Sequence, residues 1–155
     1  MTALSARGLR ALFSTLPLLV ACGAACAQDG RQPPLPAIAL MAGDHAISAE
    51  VARSGHEREI GLMFRASLAP DEGMLFVFGD PQRQCFWMHN TLIPLAAAFV
   101  ADDGRIINIV EMAPNTDDSH CSTREVRFVL EMNGGWFAGH GIAAGAYITG
   151  EPFTR

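Results

Sequence analysis

Short apolar stretches bounded by turn residues, some alternating strictly with polar ones, hold this chain to a β architecture. Ile47, Ala49 and Val51 alternate with Ser48 and Glu50, and Val126, Phe128, Leu130 and Met132 alternate against Arg127 and Glu131. A period of two sends successive side chains to opposite faces, which suits a strand and not a helix. Met74–Phe78 is short and uniformly apolar, the pattern of a buried strand. Leu95–Val100 and Arg105–Met112 flank Asp102-Asp103-Gly104, and Asp-Gly between apolar runs signals a hairpin. Cys85–His89 and Gly145–Ile148 read as further strands. Helical signals are fewer. Ser54-Gly55-His56-Glu57 forms a capping box ahead of Ile60, Met63 and Phe64, which share a helix face, and Trp136–His140 reads as a helical turn closed by Gly141. Ala113–Thr123 is polar and is expected to be a loop. Six or seven strands with one or two short helices predict a mainly β domain, a β-sandwich or barrel.

The N-terminus carries a different signature. Arg7 and Arg10 precede an apolar run, Ala11–Ala21, and small residues follow, the three zones of a secretion signal over residues 1–27. The run is shorter than the roughly 20 apolar residues of a membrane anchor. Two processing sites compete: Ala25-Cys26-Ala27 ahead of Gln28, and the lipobox-like Leu19-Val20-Ala21-Cys22, in which Cys22 would be lipidated. Residues 28–45, with Pro33, Pro34 and Pro36, read as a linker, and 46–152 as a single domain. Beyond residue 27 the chain has nine arginines, no lysine and sixteen acids, a formal charge of −7. That balance lacks the basic footprint a phosphate backbone requires and argues against nucleic-acid binding. Membrane association is expected only through a lipid on Cys22. Export would leave Cys85 and Cys121 in an oxidising compartment, where a disulfide is expected; two thiols in a metal site are the alternative.

Three strings resemble a known family: Gly61-Leu62-Met63-Phe64-Arg65, Glu72-Gly73-Met74-Leu75-Phe76-Val77-Phe78, and Phe86-Trp87-Met88-His89-Asn90-Thr91-Leu92-Ile93-Pro94-Leu95. With Asp103–Ile106 and Val129–Asn133 in the same order and spacing, they resemble the domain-of-unknown-function 192 family over about Ile47–Gly150. The resemblance implies a jelly-roll-like β-sandwich, often in exported or lipid-anchored proteins, and no assigned activity. The family usually has Asp after the Ile-Pro-Leu segment, where this chain has Ala96, so no role can be lent to that carboxylate.

Candidate site residues gather around the same strings. Trp87, Asn90 and Thr91 offer an aromatic platform beside an amide and a hydroxyl, suited to a sugar or another polar ligand; the plainer alternative is that Trp87 packs while Asn90 and Thr91 bond the turn's own backbone. Alternation puts Phe86 and Met88 on one face, Trp87 and His89 on the other. Arg65 can anchor an anion, pair with Glu131 or cap helix carbonyls. Met63, Met74, Met88, Met112 and Met132, with His89 and His120, suggest Cu(I), but they fall at core-periodic positions where Met is ordinary filler. No metal or cofactor is assigned. Asp117-Asp118-Ser119-His120-Cys121 holds the letters of a hydrolase triad, although triad members normally converge from separate segments. Gly139-His140-Gly141 and Gly145 lack the context of a phosphate loop. The leading expectation is a periplasmic or envelope module binding a small polar or glycan ligand through Trp87, Asn90 and Thr91, with Arg65 and Glu131 nearby. An envelope hydrolase or transferase using Glu111, Asp117, Asp118 and His120 is the second, and an interaction protein without a small ligand the third.

Overall fold

The computed structural model describes residues 30–153, so residues 1–27, expected above to be a secretion signal, with Cys22 and Cys26, lie outside the described residues. In chain order the elements are β1 (Ala37–Ala42), β2 (His45–Ala52), α1 (Gly55–Ile60), β3 (Glu72–Gln82), β4 (Cys85–Phe86), β5 (Leu95–Val100), β6 (Ile106–Met112), β7 (His120–Cys121), β8 (Val126–Asn133), α2 (Trp136–Gly139) and β9 (Ile148–Thr149). Seven strands form one sheet in the order β6-β5-β8-β3-β2-β1-β9, and β4 and β7 form a separate ribbon. Pairing is antiparallel except between β2 and β3, which run parallel with Ser48 opposite Glu72. The parallel step requires a crossover, and α1 with residues 61–71 supplies it.

The sheet curls into a half-barrel. Its two ends meet at one point: Ile106 N–H donates to the Ala146 carbonyl and Ile148 N–H to the Gly104 carbonyl, both at 2.8 Å. The expected Asp-Gly turn makes this closure. Gly104 has φ +85°, and a Cβ there would collide with the Ile148 carbonyl oxygen, so both backbone conformation and close approach demand glycine. The expectation of a mainly β sandwich or barrel holds, the large sheet taking the barrel-like form.

Both faces of the sheet are covered. One carries Leu40, Leu75, Phe128, Leu130, Trp136 and Phe137, and the other Met74, Phe76, Met88, Phe99, Met112 and Val129. Strand β5 (LAAAFV) is buried at every position. Met74, Met88, Met112 and Met132 are all core residues.

Of the stretch expected to be a linker, residues 30–45 are not free. β1 lies in the sheet against β2, with Ala37 opposite Glu50. Gln32 is buried and its Nε2 donates to the Gly61 and Glu57 carbonyls at 2.8 and 3.1 Å. The prolines end at Pro36, and beyond them Ile38, Leu40 and Ala42 keep a period of two within an alanine-rich stretch. Cys85–His89 is likewise a strand only over Cys85–Phe86, after which the chain turns.

Arg65 pairs with Glu50, not Glu131. Its Nη1 and Nη2 bond the two Glu50 oxygens at 2.6 and 2.8 Å, and Leu35 N–H donates to Glu50 Oε2 at 2.8 Å. Partial burial pushes the Glu50 carboxyl upward, but the Arg65 fork and the Leu35 amide outweigh it and hold the pKa below its ordinary value. This pair joins the crossover to β2 and the N-terminal arm. Removing the cation would strand a half-buried carboxylate, so Arg65→Met should lower unfolding free energy by about 3 kcal/mol in urea titration. Arg65→Lys should recover only part of the loss, because an ammonium cannot fork; full recovery by lysine would show that charge alone matters.

Candidate functional site

Central strand β8 runs between β5 and β3, placing Glu131 opposite Ala97 on one side and Met74 on the other. It faces the second apolar cluster and is 4% exposed. No side chain or backbone group among the described residues hydrogen-bonds its carboxyl. Burial raises its pKa from 4.5 to about 8, with no compensating partner. The carboxyl borders a cavity of about 40 Å³.

The loops above Glu131 shape the cavity. The capping box forms as expected: Ser54 Oγ accepts from Glu57 N–H at 3.1 Å and Glu57 Oε2 accepts from Ser54 N–H at 2.7 Å. α1 ends at Gly61, whose φ is +49° and whose absent Cβ would stand 3.1 Å from the Phe76 ring. Phe64 (φ +62°) and Asn90 (φ +54°) both adopt left-handed backbone conformations, and Phe64 N–H donates to the Asn90 carbonyl at 2.8 Å. For a phenylalanine that conformation costs about 1–2 kcal/mol. The bond locks segment 61–65 against segment 87–91 over the cavity.

Trp87, Thr91 and Glu131 border this cavity together, with Phe76, Phe86 and Arg58. Trp87 is 53% exposed, so it does not pack in the core. Thr91 is buried and its hydroxyl donates to the His89 carbonyl at 3.4 Å, a long local bond of the kind expected for a turn. Asn90 contributes its backbone conformation. Arg65 lies elsewhere, held by Glu50. The alternation expected at Phe86–His89 persists past the strand's end: Met88 is buried, while Trp87 and His89 stack at 4.9 Å and 21°.

Cys85 and Cys121 are bonded, directly opposite each other in the β4–β7 ribbon with Cα atoms 4.0 Å apart. The bond fastens the 113–123 loop beside Trp87, where Met88 N–H donates to the Thr116 carbonyl and Asp117 Oδ1 meets His89 Nδ1, both at 2.9 Å. Three of the four polar groups of the alternative hydrolase site have separate placements. Glu111 accepts from Gly135 N–H at the start of α2, His120 lies in the ribbon opposite Phe86, and Asp117 takes His89 as its partner. The His89–Asp117 pair was not visible as a motif because 28 residues separate its members. A larger groove, about 610 Å³, lies over β1 and β2. Its floor is chiefly alanine and isoleucine, and of its two acids Asp71 accepts from Trp136 Nε1 at 3.1 Å while Glu72 is exposed.

The Glu131 environment has a sign that can be measured. Unfolded, this carboxyl ionises near 4.5, whereas folded it keeps its proton to about 8. Between those values the unfolded chain binds fewer protons, so stability falls as pH rises, by roughly 4–5 kcal/mol if the whole difference is expressed. Melting temperature should therefore fall from pH 5 to pH 8.5, and Glu131→Gln should flatten that slope. A variant with the wild-type slope would mean Glu131 ionises normally.

Comparison with known proteins places the chain. No curated protein matches it. A crystal structure of a protein of unknown function from Novosphingobium aromaticivorans superimposes with TM-score 0.72 at 36% identity, covering 75% of this chain and 86% of that one. A proposed transcription regulator from Sinorhizobium meliloti superimposes with TM-score 0.69 at 36% identity, covering 72% and 90%. The sequence pattern of the domain-of-unknown-function 192 family, described as "Uncharacterized ACR", matches residues 38–150 and so takes in β1. The chain belongs to the domain-of-unknown-function 192 family.

Proposed function

We propose that this protein is an exported ligand-binding module of the cell envelope, with its site at the cavity between Trp87, Thr91 and Glu131. The observation that carries this reading is the Glu131 carboxyl, buried without a partner yet bordering open space. A packed core avoids such a group, and a binding pocket uses one to orient its ligand. Exposed Trp87 supplies a flat amphipathic surface beside it, suited to a sugar ring or a small polar molecule. Export is supported by the zones of residues 1–27 and by the Cys85–Cys121 bond, which oxidising compartments sustain. The acidic, lysine-free composition disfavours the transcriptional role proposed for the Sinorhizobium relative.

The His89–Asp117 pair favours a second reading, an envelope hydrolase or transferase. With Nδ1–H donating to Asp117 Oδ1, the His89 Nε2 lone pair is left free as a base. The two readings separate on substitution. In thermal-shift measurements against envelope saccharides and polyols, a ligand of the wild type should lose its stabilising effect in Trp87→Ala and Glu131→Gln while His89→Ala retains it. Variants that unfold in step with their loss of binding would make Trp87 and Glu131 packing residues. Turnover abolished by His89→Ala would favour the second reading.

Intact-mass measurement of envelope fractions tests export. A mature chain starting at Gln28, or at a lipidated Cys22, is expected. Full-length chain found only in the cytosol would contradict both.

A further inference from the structure

We infer that the group entering this pocket is a primary ammonium, the end of an alkylamine or of a lysine-like side chain. The inference rests on the binding reading above and specifies the chemistry of its ligand. Once ionised, Glu131 joins the Thr91 hydroxyl as an acceptor in the pocket. Glu131 presents a carboxyl with no partner among the described residues, and the Thr91 hydroxyl spends its hydrogen on the His89 carbonyl, leaving its lone pairs free. An ammonium carries three donors and no acceptor, the complement of that set.

The walls agree with a cation. Phe76 and Phe86 meet edge to face at 4.8 Å, and Trp87 borders the same pocket; cations gain from aromatic faces, more so when desolvated. The cavity's size is also selective. About 40 Å³ exceeds the roughly 10–15 Å³ that one water needs and suits an ammonium with its first methylene, leaving the remainder of the ligand at Trp87.

Among the described residues, the one cation bordering the pocket, Arg58, is already engaged within the protein. Arg65 is forked onto Glu50. Arg58, the basic residue at the cavity, donates to the Val77 and Arg53 carbonyls and lies 4.9 Å over the Phe78 ring. The titratable groups bordering the pocket are Arg58 and Glu59 from α1 and Glu131 from β8; β3 and the 86–91 segment contribute none. When the ammonium arrives it keeps its three protons, Glu131 ionises, and the carboxyl's proton passes to the buffer.

Titration calorimetry of the mature protein with n-butylammonium and with n-butanol, in two pH 7 buffers of different ionisation heat, tests this directly. The ammonium should bind at least about tenfold more tightly than the alcohol. Its apparent enthalpy should shift between buffers as expected for close to one proton released. Glu131→Gln, checked for a native near-ultraviolet spectrum, should lose the proton release and about tenfold in ammonium affinity, while Thr91→Val should lose affinity and keep the release. Equal binding of alcohol and ammonium without proton release would overturn the inference yet leave the binding reading standing. Absence of ammonium binding would overturn it too, and the saccharide and polyol measurements then decide whether the binding reading survives.

Discussion

A strand paired on both edges and covered on both faces leaves no solvated side for its polar residues, and β8 is in that position. It runs between β5 and β3, with Phe128 and Leu130 in one apolar cluster and Val129 in the other. Glu131 must then enter an apolar cluster whatever its intrinsic preference. An ionised carboxylate there without a partner is more costly than a neutral acid, so the group keeps its proton well above the usual carboxylate range. The small Ala97 beside it limits crowding on the β5 side. Ala96, where the family usually has Asp, points to the opposite cluster, so that departure leaves the Glu131 side unaltered.

What covers the second face decides whether this acid is merely buried or is reachable. The cover consists of loops with backbone locks. α1 is started by its capping box and stopped by Gly61, and Gln32 bonds its last carbonyls from the N-terminal arm. Phe64 and Asn90 hold each other in left-handed conformations, and the Cys85–Cys121 bond fixes the ribbon behind Trp87. In the chain-entropy view a bridge across 36 residues stabilises by roughly 4 kcal/mol, a sizeable share of a domain's roughly 5–15 kcal/mol. Loops so constrained can maintain a small cavity over the carboxyl without collapsing onto it.

Much of this is legible in the residues. The capping box, the Asp-Gly hairpin and the core strands follow from local rules of capping, turn geometry and periodicity, and each forms where those rules place it. The cysteine pairing follows from the reading of an exported chain, and it forms too. What local patterning misses is long-range. β1 is obscured by the prolines just before it. Arg65 finds Glu50 because the parallel β2–β3 crossover brings them together, and sequence spacing holds no sign of that. Alternation in β8 reveals that Glu131 faces away from Leu130, but not that the far face is covered as well. Trp87, Thr91 and Glu131 are individually nameable as candidates; their common cavity is a property of the fold.

The central claim is that Glu131 is a buried, partnerless acid at the base of an accessible cavity. Carbon-13 NMR of the Glu131 side-chain carboxyl, followed from pH 4 to pH 10 in the folded protein, tests it most directly. The account predicts a resonance that stays in its protonated position through pH 6 and titrates with a midpoint near 8. A midpoint in the ordinary glutamate range, about 4–5, would mean that water or an undetected partner solvates the carboxylate, and would contradict the account.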